Sequence, residues 1–347
     1  MITINNHKIC EDSRCYIIAE ISANHNKDIN KAKELIRISK ECGADAVKIQ
    51  TYTQDTMTIN CKNNFFKINQ DTLWDGKYLY DLYKEAALPY EWYDELFEYA
   101  NFINIDFFST PFDNETADLL NNFNVPAYKI ASYEMIDTNF VKYVSKKGKP
   151  LIISTGIADL EEINEIVNIC REQKNNEFVL LKCTSSYPAP YEDINLRTMI
   201  DMKERFDCLV GISDHTLGDE IAIAAVALGA KVVEKHITLS RMDDGPDSKF
   251  SMEPCEFKSM VQSIRNVEKA MGKVSYDLDI KKKKNRTFAR SLFVINDIKK
   301  DEEFTEENIR SIRPGNGLHP REYNRVIGRK AGCDIKRGTP LSWDIIK

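Results

Sequence analysis

Eight short β-rich runs alternate with longer segments of helical period through the first three quarters of this chain, and no other feature limits the possible folds so strongly. The runs are Cys15 to Ile21, Ala44 to Gln50, Ile105 to Thr110, Ala127 to Ala131, Pro150 to Thr155, Glu177 to Cys183, Cys208 to Ser213 and Lys231 to Ile237. Helical patterns separate them, among them Asn30 to Cys42, Tyr90 to Phe102, Asn114 to Asn122, Leu160 to Gln173, Leu196 to Phe206, Asp219 to Leu228 and Pro254 to Met271, several opening with Asp, Pro or Glu. Parallel strands need a crossover of a dozen residues or so, usually a helix, so eight βα units in succession predict an α/β fold of the (β/α)8 TIM-barrel type.

Two stretches break the rhythm. Tyr52 to Pro89 is too long for a simple βα loop and carries Trp74, Tyr78, Tyr80 and Tyr83, as expected of a loop that serves a site. After the last helix comes Lys281-Lys282-Lys283-Lys284-Asn285-Arg286, which reads as a solvated connector more readily than as a nucleic-acid or nuclear signal. The tail has short β-like runs and turn glycines but too few residues for another barrel unit. The expected organisation is a barrel over 1–275, a linker over 276–288 and a small β-rich domain over 289–347.

The formal charge of −6, with basic residues spread along the chain, gives no general reason to bind nucleic acid or an anionic membrane. An anionic substrate must then be held by a local cluster. The longest uncharged apolar stretch, Ile221 to Ala230, is too short to span a bilayer, and Met1 to Lys8 is polar rather than signal-like, so a cytoplasmic protein is expected. Nine cysteines at irregular spacing, with no C-x-x-C, read as buried free thiols in a reducing compartment.

A (β/α)8 barrel carries its active site at the C-terminal ends of its strands. There the sequence places Glu20; Lys48 and Gln50; Ser109 and Thr110; Lys129 and Ser132; Ser154 and Thr155; Ser185 and Tyr187; Ser213 and His215; and Glu234 and His236. Side chains two apart along a strand face the same way, pairing Lys48 with Gln50 and Glu234 with His236. One lysine at a strand end is commonly a surface residue. Lys48 and Lys129 together, among serine and threonine hydroxyls, instead suit a phosphate and a carboxylate. His215 and His236 end adjacent strands, and either alone would read as a hydrogen-bonded structural histidine. As a pair, with Glu20 across the mouth, they suit a divalent Mn²⁺, Mg²⁺ or Co²⁺ whose other positions are filled by water or substrate. Asp247, in the turn Gly245-Pro246-Asp247-Ser248, is either a turn cap or a carboxylate that binds sugar hydroxyls.

At these residues the chain resembles the sialic acid synthase family. The matching segments are Ile17 to Asn26, Ala44 to Gln50, Phe107 to Asp113, Tyr128 to Ser132, Lys149 to Gly156, Cys183 to Pro188, Gly211 to Thr216 and Glu234 to Thr238. In the tail, Ala289 to Val294 and Ile312 to Gly317 resemble the antifreeze-protein-like (SAF) domain that closes these synthases. The resemblance implies that Lys48, Thr110, Lys129, Ser132, Ser154, Ser185 and Ser213 bind phosphoenolpyruvate and that His215 and His236 hold the metal. It also implies that Glu20 lies near the reacting carbons, and that Arg313 reaches the acetamido group of an amino-sugar aldehyde in the neighbouring subunit of a domain-swapped homodimer. Trp74-Asp75-Gly76 followed by Leu79 to Tyr83, and Gly245-Pro246-Asp247-Ser248 followed by Phe250-Ser251, look like the pseudaminic-acid-forming branch; other branches tend to have His-Lys-Ala after Gly-Pro-Asp, where this chain has Ser248-Lys249-Phe250. The rival readings are the same condensation on N-acetylmannosamine or the legionaminic precursor, a Schiff-base aldolase using Lys129 or Lys48, and a non-catalytic carbohydrate- or ice-binding protein.

Overall fold

The computed structural model describes every residue except Asp71 and Asp244 and divides into two compact units, Met1–Gly272 and Lys273–Lys347. In the first unit, β1 (Ile2–Ile4) and β2 (His7–Ile9) form an antiparallel hairpin. Among the described residues, eight further strands then close a parallel barrel in chain order: β3 (Tyr16–Glu20), β4 (Ala46–Thr51), β5 (Asp106–Pro111), β6 (Tyr128–Ile130), β7 (Leu151–Ser154), β8 (Phe178–Cys183), β9 (Leu209–Asp214) and β10 (Val232–His236), which pairs back onto β3. The expected TIM barrel is the observed fold.

Both faces of these strands are covered, so they read as apolar runs such as Leu151-Ile152-Ile153 and Phe178-Val179-Leu180-Leu181, all buried. Acidic caps start several of the surrounding helices. Asp28 accepts from the backbone N–H groups of Asn30 and Lys31, and Asp113 and Asp159 form capping boxes with Thr116 and Glu162. Pro254 opens the long helix Pro254–Met271, where its missing N–H is not needed.

The β1–β2 hairpin corrects the reading of the N-terminus as merely polar. Ile2, Ile4 and Ile9 alternate with polar residues and are buried in the barrel core. Asp106, at the start of β5, fastens the hairpin. It accepts from Asn5 Nδ2 (2.7 Å) and Tyr16 OH (2.6 Å), and its Oδ2 lies 2.8 Å from His7 Nδ1. This ties the hairpin to the N-terminal end of the barrel strands, opposite the mouth.

Among the described residues, the long insertion 52–89 holds two short α-helices, Gln54–Met57 and Leu79–Ala86, and returns to the mouth through Trp74, whose Nε1 donates to Pro246 O at 3.2 Å. In the second unit the lysine run lies in a short exposed helix, Ile280–Asn285, where the sequence suggests only a connector. Asp279 caps it by accepting from Lys282 N. Beyond it, β11 (Ser291–Val294) pairs antiparallel with β12 (Ile309–Ile312) over a small core of Leu292, Val294, Ile298, Phe304, Ile309, Val326, Ala331, Ile335 and Leu341. Among the described residues no helix is long and apolar enough to cross a membrane.

Candidate active site

Strand register brings the charged residues of the mouth together. Glu20 on β3 stands beside Lys48 on β4 on one side and His236 on β10 on the other, while Glu234 stands beside Ser213 on β9. Lys48 is ion-paired with Glu20, donates to Thr110 Oγ1 at 3.0 Å, and lies 3.9 Å from Glu234 Oε2. Lys129 donates to Ser154 Oγ (2.6 Å) and Ile130 O (2.9 Å) and lies 3.9 Å from Glu234 Oε1. Ser213 donates to that same oxygen at 3.0 Å, and Gln50 Nε2 donates to Glu20 Oε1 at 3.3 Å. The alternation of β10 sends the intervening Lys235 the other way, into a buried pair with Asp214 (2.7 Å).

Burying four ionisable groups together is costly unless their charges offset. Burial pushes Glu20 up to about 7, against the pull of Lys48 and with the help of Glu234. Glu234, by contrast, is held below the usual carboxylate value, because Lys129 and Lys48 together outweigh its burial. Burial lowers Lys129, and for Lys48 the neighbouring carboxylates outweigh it and raise the ammonium. When Glu20 takes a proton, the cluster gains a net positive charge.

Next to it lies a hydroxyl pocket. Ser132 Oγ accepts from Gly156 N at 3.0 Å, and a Cβ on Gly156 would come within 2.2 Å of Ser185 Oγ and 2.7 Å of Ser132 Oγ. Only glycine leaves these two hydroxyls room to converge. Cys183 lines the same pocket, 3.9 Å from both Ser185 Oγ and His215 Nδ1.

The two imidazoles stand with ring centroids 5.4 Å apart. His215 Nδ1 lies 3.0 Å from Thr184 O, a backbone tether that leaves Nε2 as the free nitrogen. Burial drives His236 well below its ordinary value, keeping it neutral, and its buried Nδ1 has no hydrogen-bond partner among the described residues. Two adjacent imidazoles, one tethered through Nδ1 so that Nε2 is free and the other with an orphaned Nδ1, fit an open metal site that substrate and water complete. Among the described residues, no group of three or more His, Cys, Asp or Glu side chains forms a closed metal site. Glu20 is engaged by Lys48 and Gln50. Tyr187 packs on His215 (4.3 Å between centroids), Trp74 (5.7 Å) and Phe250 (5.1 Å), forming an aromatic wall beside the imidazoles.

Asp247 is half-buried and accepts from Ala23 N at 3.5 Å, so it caps the turn that follows β3 rather than its own. Burial raises its carboxyl. Arg313 is exposed in the second unit. Two carboxylates have roles that the sequence does not disclose. Glu234, noted only as a strand-end residue, is the hub of the lysine cluster. Glu134, beyond β6, is pushed by burial to about 7 with a buried Oε2 that lacks a hydrogen-bond partner among the described residues. The shared facing of Glu234 and His236 places the first at the mouth but does not show its lysine partners, and a loop position gives no signal for the second.

A closed parallel barrel whose mouth gathers ammonium groups, hydroxyls and paired imidazoles defines the chain as a (β/α)8-barrel enzyme. The family follows from the comparisons: residues 35–276 match the NeuB family and residues 289–347 the SAF domain, and the chain belongs to the NeuB family. It is 48% identical to a pseudaminic acid synthase of Campylobacter jejuni, covering 95% of this chain and 96% of that one. It is 46% identical to a pseudaminic acid synthase of Helicobacter pylori over 95% and 97% of the two chains. An N,N'-diacetyllegionaminic acid synthase, also of Campylobacter jejuni, is 40% identical over 92% of this chain and 96% of its own. Among solved structures, the spore coat polysaccharide biosynthesis protein SpsE of Bacillus subtilis superposes with a TM-score of 0.68 at 34% identity, covering 100% of this chain and 99% of that one.

Proposed function

We propose that this chain condenses phosphoenolpyruvate with 2,4-diacetamido-2,4,6-trideoxy-L-altrose and water, giving pseudaminic acid and phosphate. The observation that carries the reading is the buried pair Lys48 and Lys129, set among Thr110, Ser154 and Ser213 in one barrel mouth. Such a pair matches a small substrate that carries both a phosphate and a carboxylate. Lys129 donates to Ser154 Oγ and Ile130 O, and holding a substrate with two anionic groups employs both lysines of the mouth, where a Schiff base would employ one.

In this reading Lys48 and Lys129 hold the two anionic groups of phosphoenolpyruvate, and Ser132 and Ser185 supply hydroxyls beside Gly156. C3 of phosphoenolpyruvate forms a bond to the aldehyde carbon of the open-chain sugar while the C=O π bond becomes an alkoxide, water adds at C2 and its proton ends on that alkoxide, and phosphate leaves from the tetrahedral centre as C2 becomes a ketone. Glu20, with its carboxyl near 7, accepts the proton from that water. A divalent Mn²⁺, Mg²⁺ or Co²⁺ held by His215 and His236 would supply Lewis-acid polarisation of the aldehyde oxygen. Tyr187 and Asp247 face the sugar, and Arg313 reaches it from the partner subunit of a domain-swapped homodimer in the cytoplasm.

The choice of sugar rests on the greater identity to the pseudaminic acid synthases and on Ser248-Lys249-Phe250. The alternative is legionaminate or N-acetylneuraminate synthesis by the same steps. Phosphate release from phosphoenolpyruvate, measured with each of the three sugars, separates them. Highest kcat/KM with the altrose derivative supports the proposal, whereas preference for N-acetylmannosamine or the legionaminic precursor overturns it.

A further inference from the structure

Asn24 sits in the 3-10 turn Ser22–His25, four residues beyond Glu20, and is 1% exposed. A buried primary amide must find partners for its donors and acceptor. Its Nδ2 donates to Ile237 O (2.8 Å) and Ser251 Oγ (2.9 Å), and its Oδ1 accepts from Ser248 Oγ (3.2 Å). These three partners all lie in the segment that leaves β10 and carries Asp247 and Phe250.

The surrounding contacts tighten the same junction. Ser251 Oγ donates to Asp247 O at 2.7 Å, and Ala23 N donates to Asp247 Oδ2 at 3.5 Å. Ser22, immediately before, has φ 41°, a left-handed conformation that a buried serine keeps only where its surroundings impose it. A Cβ on Gly245 would come within 2.4 Å of Asn26 Oδ1 and 2.6 Å of Ser248 Oγ, so glycine leaves room for these two side chains to pack against the loop. On the far side Trp74 Nε1 holds Pro246 O, and Phe250 packs 5.0 Å from His236 and 5.1 Å from Tyr187.

We infer that Asn24 is a positioning residue for the amino-sugar half of the site. It clamps loop 245–251 to the end of the first barrel strand, so that Asp247 and the Phe250–Tyr187 wall keep a fixed relation to the reacting end of the mouth. The lysine cluster is built from β3, β4, β6 and β10 by its own ion pairs, none of which involves Asn24 or a residue of loop 245–251. The inference rests on the proposed function in one respect, that Asp247 faces the sugar.

Two variants test it. Asn24→Ala removes all three bonds, and Ser248→Ala removes one with little change of volume, so the second stays informative if the first folds poorly. The KM for the amino sugar should rise about tenfold or more in Asn24→Ala and a few-fold in Ser248→Ala, with the KM for phosphoenolpyruvate within about twofold of wild type. Equal rises in both KM values, or an unchanged sugar KM in folded variants, overturn the assignment. Hydrogen exchange decides the clamp independently of any sugar. Amides of 245–251 should exchange faster in Asn24→Ala while β4 and β6 keep their protection, and unchanged exchange in 245–251 overturns the clamp. A wild type that turns over no amino sugar would sink the functional reading and the sugar assignment with it, leaving the exchange result to judge the clamp.

Discussion

Glu20 and Lys48 form an ion pair across adjacent strands at the centre of the barrel mouth, and both are almost completely buried. The pair is asymmetric in its response to burial. Burial pushes the carboxyl to about 7, whereas the ammonium is sustained against burial by Glu20 and by a second carboxylate, Glu234. A carboxylate poised there can take a proton near neutral pH and return it without leaving Lys48 unpartnered.

If Glu20 must be ionised to accept a proton, kcat/KM should fall as pH drops through about 7, following the Glu20 carboxyl. Glu20→Gln should lower kcat by about 10²–10⁴ and flatten that acid limb. A pH–rate series on both proteins checks this, and an acid limb that survives in the variant assigns it to another group.

Lys129→Ala should raise the KM for phosphoenolpyruvate far more than that for the sugar, because an ammonium acts mainly on anionic groups. It also leaves Glu234 with less compensating charge, so its fold should be checked by circular dichroism beside the kinetics. Equal losses for both substrates would mark Lys129 as a support of the fold.

Glu134 offers a test on stability alone. Its folded carboxyl lies near 7 and its ordinary value is 4.5, so between those values the native chain binds the proton that the unfolded chain has lost. Stability from this group is therefore full below about 4.5 and is lost as pH rises through about 7. Glu134→Gln removes the penalty. Relative to wild type, the variant should gain up to roughly 3 kcal/mol between pH 5 and pH 8 in urea unfolding, and a pH-independent difference would refute the buried carboxyl as its source.

Much of this architecture was legible because the barrel strands announce themselves by period. Each begins within two residues of its apolar run, and the polar residues that line the mouth stand at or beside the end of each run. What escaped detection depends on long-range partners. The β1–β2 hairpin is two three-residue strands whose burial is secured by Asp106, about a hundred positions away in the chain. Glu234 gains its meaning only from Lys48 and Lys129 on other strands, and Asn24 from Ser248 and Ser251. Local pattern encodes the scaffold, whereas the pairing of charges and amides across it is a property of closure.

Chelation tests the imidazole pair. EDTA should abolish turnover and Mn²⁺ or a similar ion should restore it, since two nitrogens make an open site that exchanges its ion readily. His236→Ala should remain folded and lose calorimetric Mn²⁺ binding. Full turnover after exhaustive chelation would remove the ion from the reaction, and wild-type affinity in the variant would mean that the ion binds elsewhere.

Arg313 lies outside the barrel unit, exposed just beyond β12, and truncating an exposed arginine in a turn ordinarily changes little. It acquires a role only if the second unit of one subunit serves the barrel of another. In that case Arg313→Ala should impair use of the sugar while sparing phosphoenolpyruvate affinity, because the guanidinium would touch the acetamido group alone. The arrangement also makes a prediction that no single-subunit site shares. A heterodimer of an Arg313→Ala chain and a His236→Ala chain contains one site with both its barrel and its covering domain intact, although each parent homodimer has none. Subunit exchange between the two inactive proteins, followed by native mass spectrometry, should recover part of the wild-type phosphate release in proportion to the heterodimer formed. An inactive mixture in which exchange is confirmed by mass would exclude the swap and leave Arg313 as a surface residue of the second unit.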